Sequence, residues 1–355
     1  MAQEIYYEGY TLDGEFTRFI KVWISVFLSL SYSFAVAKLI PKGILRLVSF
    51  LPIISLFFFL PLNLHSMHLG GTSAFFIAWL ANFKLILYAF NTGPLSDQSL
   101  SLPKFLAVAC FPIKIQNQTN SKQQQQPMTV QKPVWSYAIK VLVMVSLTWI
   151  YRFTDRMHPN LLRIVYLVHI YSMLELILGM VASLVQICLG LELEAQFNEP
   201  YLSTSLQDFW GRRWNIMVSG ILRPTVYDPC LRILATILDR KVAAMVGVFA
   251  TFVVSGIMHE LIFFYFRRSK PTWVVMWFFV FHGFCLSAEI AVKKAVNGRF
   301  RVAKMVVRAV TVVFVMVTGF WWFLPELLRC HAEERSFTEY RILGEMVNGL
   351  VFNGF

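Results

Sequence analysis

Runs of about 20 apolar residues recur along the whole chain, and they limit the possible folds more than any other feature. A helix needs about 20 mostly apolar residues to cross a bilayer. Only 15% of the chain is charged, against about 25% in a soluble domain. The pattern predicts an all-α, polytopic membrane helix bundle of about eight spans. The predicted spans are 22–40, 44–64, 69–90, 134–153, 161–190, 242–266, 272–292 and 305–325.

Two of these runs differ from the others. The third, 69–90, begins with Gly70-Gly71, which we interpret as a break in the helix. Its Asn82 and Lys84 predict that this span is buried among other helices rather than exposed to lipid. The fifth, 161–190, is long enough to form either one tilted span or two shorter pieces.

The basic residues lie mainly in the connections between apolar runs. Lysines and arginines cluster in the connections after the first, third and seventh runs and in segment 191–241. By the positive-inside rule these four segments are cytosolic, and both termini lie on the other side. Basic residues after the fourth and sixth runs oppose this topology, but the majority pattern favours it. We therefore assign the net charge of +12 to topology and to anionic head groups or substrates, not to nucleic acid.

Two polar segments separate the runs. Residues 116–132 are rich in Gln and Asn, a composition that predicts a disordered polar loop. Segment 191–241 is too polar to span but rich in aromatic residues, which predicts interfacial helices and re-entrant pieces on the cytosolic face. We expect residues 1–355 to form a single membrane-embedded domain in which spans and interfacial helices surround a buried reaction cavity. The five cysteines are scattered and show no CxxC spacing, so we expect neither a disulfide framework nor a metal site.

The first polar island within this apolar chain is residues 205–215, in which two arginines lie between two tryptophans. Guanidinium groups suit phosphates, and the tryptophans can stack on a base. The alternative is an ordinary aromatic and cationic membrane anchor. The asparagine that follows can donate to a carbonyl that gains negative charge, or it can cap a helix. The candidate residues are Trp210, Arg212, Arg213, Trp214 and Asn215.

The second polar island contains His259, which lies within the apolar run 242–266. An ionisable residue inside a span is a functional-site hypothesis by default, and a neutral imidazole can act as a general base. The alternative is a packing histidine bonded to a neighbouring carbonyl. Glu260 is expected to point elsewhere and to pair with another helix. His282 and Glu289 share a helical face in the next run, where they either line the same cavity or form a polar pair in the core.

Together the two islands resemble the signature of the membrane-bound O-acyltransferases, specifically the plant wax synthase branch. The resemblance extends over most of the chain and includes residues 61–71 and 79–84. It implies that His259 is the catalytic base and that Asn215 is its polar partner. It also implies transfer of a fatty acyl group from acyl-CoA to an acceptor hydroxyl in the endoplasmic reticulum membrane.

The implied reaction agrees with the residues. The nucleotide of acyl-CoA would bind at the cytosolic arginines and tryptophans, and the alcohol would arrive laterally from the bilayer. His259 would take the hydroxyl proton and later protonate the leaving thiolate, so no acyl-enzyme, metal or cofactor is expected. A long-chain fatty alcohol is the expected acceptor, and a sterol is the alternative. The alternative from another class is a lipid transporter or receptor, which would use the same intramembrane polar groups for a proton relay or a ligand.

Overall fold

The computed structural model describes residues 12–113, 134–189, 196–296 and 303–352, and these residues form helices and no β-strand. The longer helices are α1 (Leu12–Leu39), α2 (Ile44–Phe59), α3 (His68–Ala89), α4 (Leu102–Cys110), α5 (Val134–Ile150), α6 (Pro159–Leu189), α7 (Ile216–Leu222), α8 (Asp228–Leu234), α9 (Arg240–Arg267), α10 (Val274–Val296), α11 (Lys304–Thr318), α12 (Leu324–Arg329) and α13 (Ala332–Phe352). The shorter π-helical segments are Phe75–Ala81 within α3, Phe209–Arg213, Arg223–Tyr227 and Gly319–Phe323. The 3-10 segments are Leu60–Asn63, Pro94–Ser96, Tyr151–Arg156 and Pro200–Leu202.

Seven helices in the described part of the chain are long and apolar enough to cross a membrane. They confirm the all-α polytopic fold. The eighth expected span, 134–153, is shorter than predicted. Its helix α5 has 17 residues, or about 26 Å, and is followed by the 3-10 segment Tyr151–Arg156 with its charged side chains. The fifth run forms one continuous helix, α6, rather than two pieces.

Tertiary contacts divide the chain into two compact units. Unit 1 comprises Met1–Phe111, Gly220–Asn297 and Pro325–Phe355, and unit 2 comprises Pro112–Ser219 and Gly298–Leu324. The expectation of a single domain over 1–355 stays a prediction. The predicted loop 116–132 lies outside the described residues, as do residues 191–195 of the predicted interfacial segment.

In unit 1, α3 is the most buried of the seven candidate spans. In its most apolar stretch 78% of the residues are buried, against 39% or less in the other six. This confirms the burial predicted from its polar residues. The predicted break at Gly70-Gly71 is wrong, because both glycines lie inside the helix. A Cβ atom at Gly71 would lie 2.7 Å from the ring of Phe266, so glycine there allows α3 and α9 to approach closely.

Two carboxylates from distant parts of the sequence support the start of α3. Four successive backbone N–H groups, those of residues 65–68, donate to carboxylate oxygens. Glu15 of α1 accepts the first two bonds at 2.7 and 2.9 Å, and Glu339 of α13 accepts the other two. The first N–H groups of a helix lack intrahelical partners and carry partial positive charge. The two anions therefore stabilise the beginning of the buried span.

Arg46 lies inside α2, within the predicted span 44–64, and is buried. Its guanidinium donates to the carbonyl oxygens of Ala37 and Ile40 at 3.0 Å. These carbonyls belong to the end of α1, where cations interact favourably with exposed carbonyl groups. The charge of Arg46 therefore joins two helices and should not be counted as a topology signal.

Helices α9 and α10 pack closely because each has a glycine at the contact. A Cβ at Gly256 would lie 3.3 Å from Met276 Cα, and one at Gly283 would lie 2.9 Å from Phe252 Cβ. Small residues at such positions let membrane helices approach. Glu260 of α9 accepts a hydrogen bond from the Met276 backbone N–H at 3.0 Å. The expectation that Glu260 pairs with another helix is therefore confirmed.

Candidate active site

His259 lies on α9 in unit 1, and its ring has a defined orientation. Its Nδ1 atom lies 2.7 Å from the carbonyl oxygen of Ser255, one turn earlier. A carbonyl oxygen can only accept, so Nδ1 carries the proton of the neutral ring. Nε2 is then the ring nitrogen whose lone pair can take a proton from a substrate. The helix backbone itself thus selects the tautomer that a general base requires.

Two aromatic rings hold the imidazole in place. Trp79 of α3 meets it edge to face, with ring centroids 5.2 Å apart, and Phe279 of α10 lies at 4.4 Å with a tilt of 32°. Three helices therefore meet at His259. Trp79 belongs to residues 79–84, which are part of the family resemblance, but nothing local in the sequence predicts its contact with α9.

His282 lies three residues beyond Phe279 on α10 and is fully buried. Its ring packs against Phe278, with centroids 4.3 Å apart. Glu289, expected on the same face, forms an ion pair with Lys293 at 2.8 Å. A role for His282 in binding substrate stays a prediction.

The arginine and tryptophan island lies in unit 2 and contains a π-helical segment. Ser205 accepts a hydrogen bond from the Asp208 backbone N–H at 3.0 Å, and the π-helix Phe209–Arg213 follows. Such segments are rare and occur often at functional sites. Trp214 stacks on the ring of Phe209, with centroids 5.5 Å apart and planes 14° apart, and it also stacks on Tyr171. Trp210 meets Phe209 edge to face.

The two adjacent arginines have different environments. Arg213 donates to Asp208 Oδ2 at 2.9 Å and to the carbonyl oxygens of Asn198 and Glu199 at 3.1 and 3.3 Å. Burial alone would raise the pKa of Asp208, but the hydrogen bonds from Thr204 and Arg213 outweigh it and lower that pKa. Arg213 therefore holds the segment together. Arg212 is exposed and is the better candidate to bind a phosphate.

Asn215 has an unusual backbone and an unusual side chain. Its φ of 44° lies in the left-handed region, which asparagine tolerates better than most residues. Its carbonyl accepts from the Ser219 N–H at 3.2 Å and so begins α7. Its side-chain Oδ1 is buried without a hydrogen-bond partner among the described residues. Backbone strain and an unpaired buried polar atom both occur at functional sites. They support a functional role for Asn215 in addition to its role at the start of α7.

Comparisons with known proteins agree with these two islands. The profile described as the membrane bound O-acyl transferase family matches residues 193–281, which include Asn215 and His259. The acyl-CoA–sterol O-acyltransferase 1 of Arabidopsis thaliana is 50% identical, over 92% of this chain and 95% of that protein. The long-chain-alcohol O-fatty-acyltransferase of Simmondsia chinensis is 42% identical, over 94% of this chain and 96% of that protein. A protein named probable long-chain-alcohol O-fatty-acyltransferase 3 from Arabidopsis thaliana is 46% identical over 92% and 94%.

The fold and the site define a multi-pass membrane enzyme that transfers acyl groups. The chain belongs to the membrane-bound O-acyltransferase family. This assignment favours an enzyme over the transporter or lipid receptor that the polar residues alone left open.

Proposed function

We propose that this enzyme transfers a fatty acyl group from acyl-CoA to a long-chain fatty alcohol and so makes a wax ester. The orientation of His259, with Nδ1 directed at the Ser255 carbonyl, is the observation that carries the chemistry. The choice of acceptor is supported by the relatives from Simmondsia and Arabidopsis whose names specify long-chain alcohols. We also propose that the enzyme acts in the endoplasmic reticulum membrane.

The reaction proceeds in one displacement. His259 Nε2 takes the hydroxyl proton while the alcohol oxygen attacks the thioester carbonyl carbon. The carbon–sulfur bond then breaks, and the imidazolium returns the proton to the leaving thiolate. The products are the ester and free CoA. The proton balance requires no acyl-enzyme, and we propose that neither a metal nor a cofactor takes part.

The remaining candidates have roles of different kinds. Arg212 binds a phosphate of acyl-CoA, and Trp210 stacks on its base or lies at the membrane interface. Arg213 and Trp214 maintain the fold of the segment through their ion pair and aromatic contacts. Asn215 is proposed as the second catalytic residue, which donates to the thioester carbonyl.

A sterol is the second candidate acceptor, and one observation favours it. The relative named acyl-CoA–sterol O-acyltransferase 1 is 50% identical to this chain, which is more than the 42% and 46% of the two alcohol acyltransferases described above. The chemistry at His259 would be the same, since both acceptors present a hydroxyl group. Only the apolar surface that receives the acceptor would differ.

The two acceptors can be compared in cells that lack their own neutral-lipid acyltransferases. The cells would express this chain and receive a fatty alcohol, a sterol, or equal amounts of both. Lipid extracts of cells given both should contain mainly wax ester, and cells expressing His259→Ala should contain neither product. If the extracts contained steryl ester and no wax ester, the acceptor would be a sterol rather than a fatty alcohol. The absence of both esters would contradict the proposed function.

A further inference from the structure

Within the part of the chain that the structure describes, the buried indole N–H of Trp79 has no acceptor. The residue is 2% exposed and lies in the π-helical part of α3. Its Nε1 atom has no hydrogen-bond partner among the described residues. A buried indole N–H usually finds a partner, because leaving it unpaired is unfavourable. An unpaired donor in the interior therefore suggests a group that arrives with a ligand.

The position of Trp79 indicates which ligand. Its ring is in direct contact with His259, at a centroid distance of 5.2 Å. A general base lies about 3 Å from the oxygen whose proton it removes, and an oxyanion donor lies about 3 Å from the oxygen that becomes negatively charged. Two residues whose rings are in contact can therefore act on the same reacting centre, one by removing the hydroxyl proton and the other by donating to the carbonyl oxygen. The π-helical turn that contains Trp79 also supports a functional role, since such turns are frequent at functional sites.

We propose that Trp79 is a further catalytic residue, whose Nε1–H donates a hydrogen bond to the thioester carbonyl oxygen as that oxygen becomes an oxyanion. This proposal rests on the proposed role of His259 as the base. The indole N–H is only a donor. A bond to the alcohol oxygen would withdraw electrons from the nucleophile and oppose the attack. A bond to the carbonyl oxygen strengthens as the carbon–oxygen double bond becomes single, and so it favours the reaction.

Trp23 offers a matched control in the same unit. Its Nε1 donates to Ser73 Oγ at 3.1 Å, so its N–H is already used within the protein. Trp23→Phe removes an indole N–H from a helix contact, whereas Trp79→Phe removes one beside His259. The tryptophan analogue 3-benzothienylalanine keeps the size of the ring and replaces only the N–H by sulfur. Placed at position 79, it separates the loss of the donor from a change in packing.

The experiment measures kcat and KM for both substrates in the full-length enzyme in membranes. Both Trp79→Phe and the benzothienyl analogue should lower kcat about 10²-fold with KM values nearly unchanged, and Trp23→Phe should retain kcat. Normal kcat with the analogue would overturn the proposal, as would a loss confined to KM. A loss with Trp79→Phe but not with the analogue would make Trp79 a packing residue only.

A spectroscopic measurement keeps the proposal testable if a variant turns over too slowly to assay. Acyl-CoA labelled with ¹³C at the thioester carbonyl would be bound to His259→Ala, and its infrared carbonyl stretch recorded. The stretch should lie at lower frequency than in water and should return toward the free value when Trp79→Phe is added. A stretching frequency that does not change when Trp79→Phe is added would contradict the proposal. If instead the wild-type enzyme makes no ester from any acceptor, the proposed function itself is wrong.

Discussion

Arg213 and Asp208 form an ion pair, with Nε 2.9 Å from Oδ2, that joins the two ends of the turn containing the π-helix Phe209–Arg213. The pKa of Asp208 is lowered in the folded protein. The pair therefore contributes stability above the ordinary carboxyl pKa, and this contribution is lost as the pH falls through the lowered value. The pair also means that Arg213 and its exposed neighbour Arg212 have different surroundings, and we expect them to differ in function.

We expect Arg212→Ala to raise KM for acyl-CoA severalfold and to leave kcat nearly unchanged. The exposed guanidinium can contribute binding energy that is the same in the ground state and the transition state, and the loss of such energy appears in KM alone. Initial rates over a range of acyl-CoA concentrations would measure the effect. Arg232→Ala, at another exposed arginine, is the matched control and should change neither constant.

Arg213→Ala should behave differently. It leaves the Asp208 carboxylate without its cationic partner, so the variant should melt at a lower temperature, and Asp208→Asn should lower the melting temperature in the same direction. If Arg213→Ala instead raised KM for acyl-CoA with an unchanged melting temperature, Arg213 would be a phosphate ligand, as the sequence first indicated.

Asn215→Asp tests the second catalytic residue with little change of shape. Aspartate also tolerates the left-handed backbone that the φ of 44° requires, but it lacks the amide N–H donors. We expect kcat to fall by about 10²–10³ and the amount of protein in the membrane to stay normal. Asn215→Gly, which suits the same backbone, should lose activity equally. Near-normal kcat in both variants would leave Asn215 only as the residue that begins α7.

The carboxylates at the start of α3 should matter for stability. Glu15→Gln and Glu339→Gln each replace a charged acceptor by a neutral amide whose single oxygen accepts less strongly. We expect each change to lower the free energy of unfolding by about 1–3 kcal/mol, seen as a lower melting temperature in detergent. Glu334→Gln is the control. Glu334 lies on α13, like Glu339, but its side chain is 61% exposed, so this variant should melt like the wild type. Equal melting of all three variants would contradict the role of the two caps.

Topology can be tested at Asn117, which lies outside the described residues. Asn117-Gln118-Thr119 is an acceptor sequence for N-glycosylation. By the positive-inside rule, the lysines around it predict that these residues are cytosolic, so we expect no glycan. The test is a mobility shift on glycosidase treatment, with Asn117→Gln as the control. A shift that disappears in Asn117→Gln would place the loop in the lumen and remove the support for cytosolic binding of acyl-CoA.

The membrane fold could be predicted from the sequence because few backbone structures are stable inside a bilayer. Every backbone polar group must be satisfied internally, so long apolar runs become helices. His259 could be singled out because an ionisable residue within an apolar span is costly, and Asn215 because it directly follows the paired arginines and tryptophans of the first polar island. Burial of α3 followed from Asn82 and Lys84 by the same reasoning, and the structure confirms it.

Other features depended on contacts that sequence spacing does not reveal. Glu15 and Glu339 meet at one helix start although almost the whole chain separates them. Arg212 and Arg213 are identical neighbours in the sequence, and only the local π-helical geometry directs one of them to Asp208. Trp79 lies beside His259 because α3 and α9 pack together, and no local pattern indicates that contact.

The central claim, that His259 is the base for acyl transfer, is tested most directly by His259→Ala. The measurement is the initial rate of ester formation from labelled acyl-CoA and a long-chain alcohol, in membranes that contain equal amounts of each protein. The rate should fall by about 10²–10⁴, while the melting temperature stays close to that of the wild type. A His259→Ala enzyme that makes ester within a few-fold of the wild-type rate would contradict the account, since the hydroxyl proton would then be removed without the imidazole of His259.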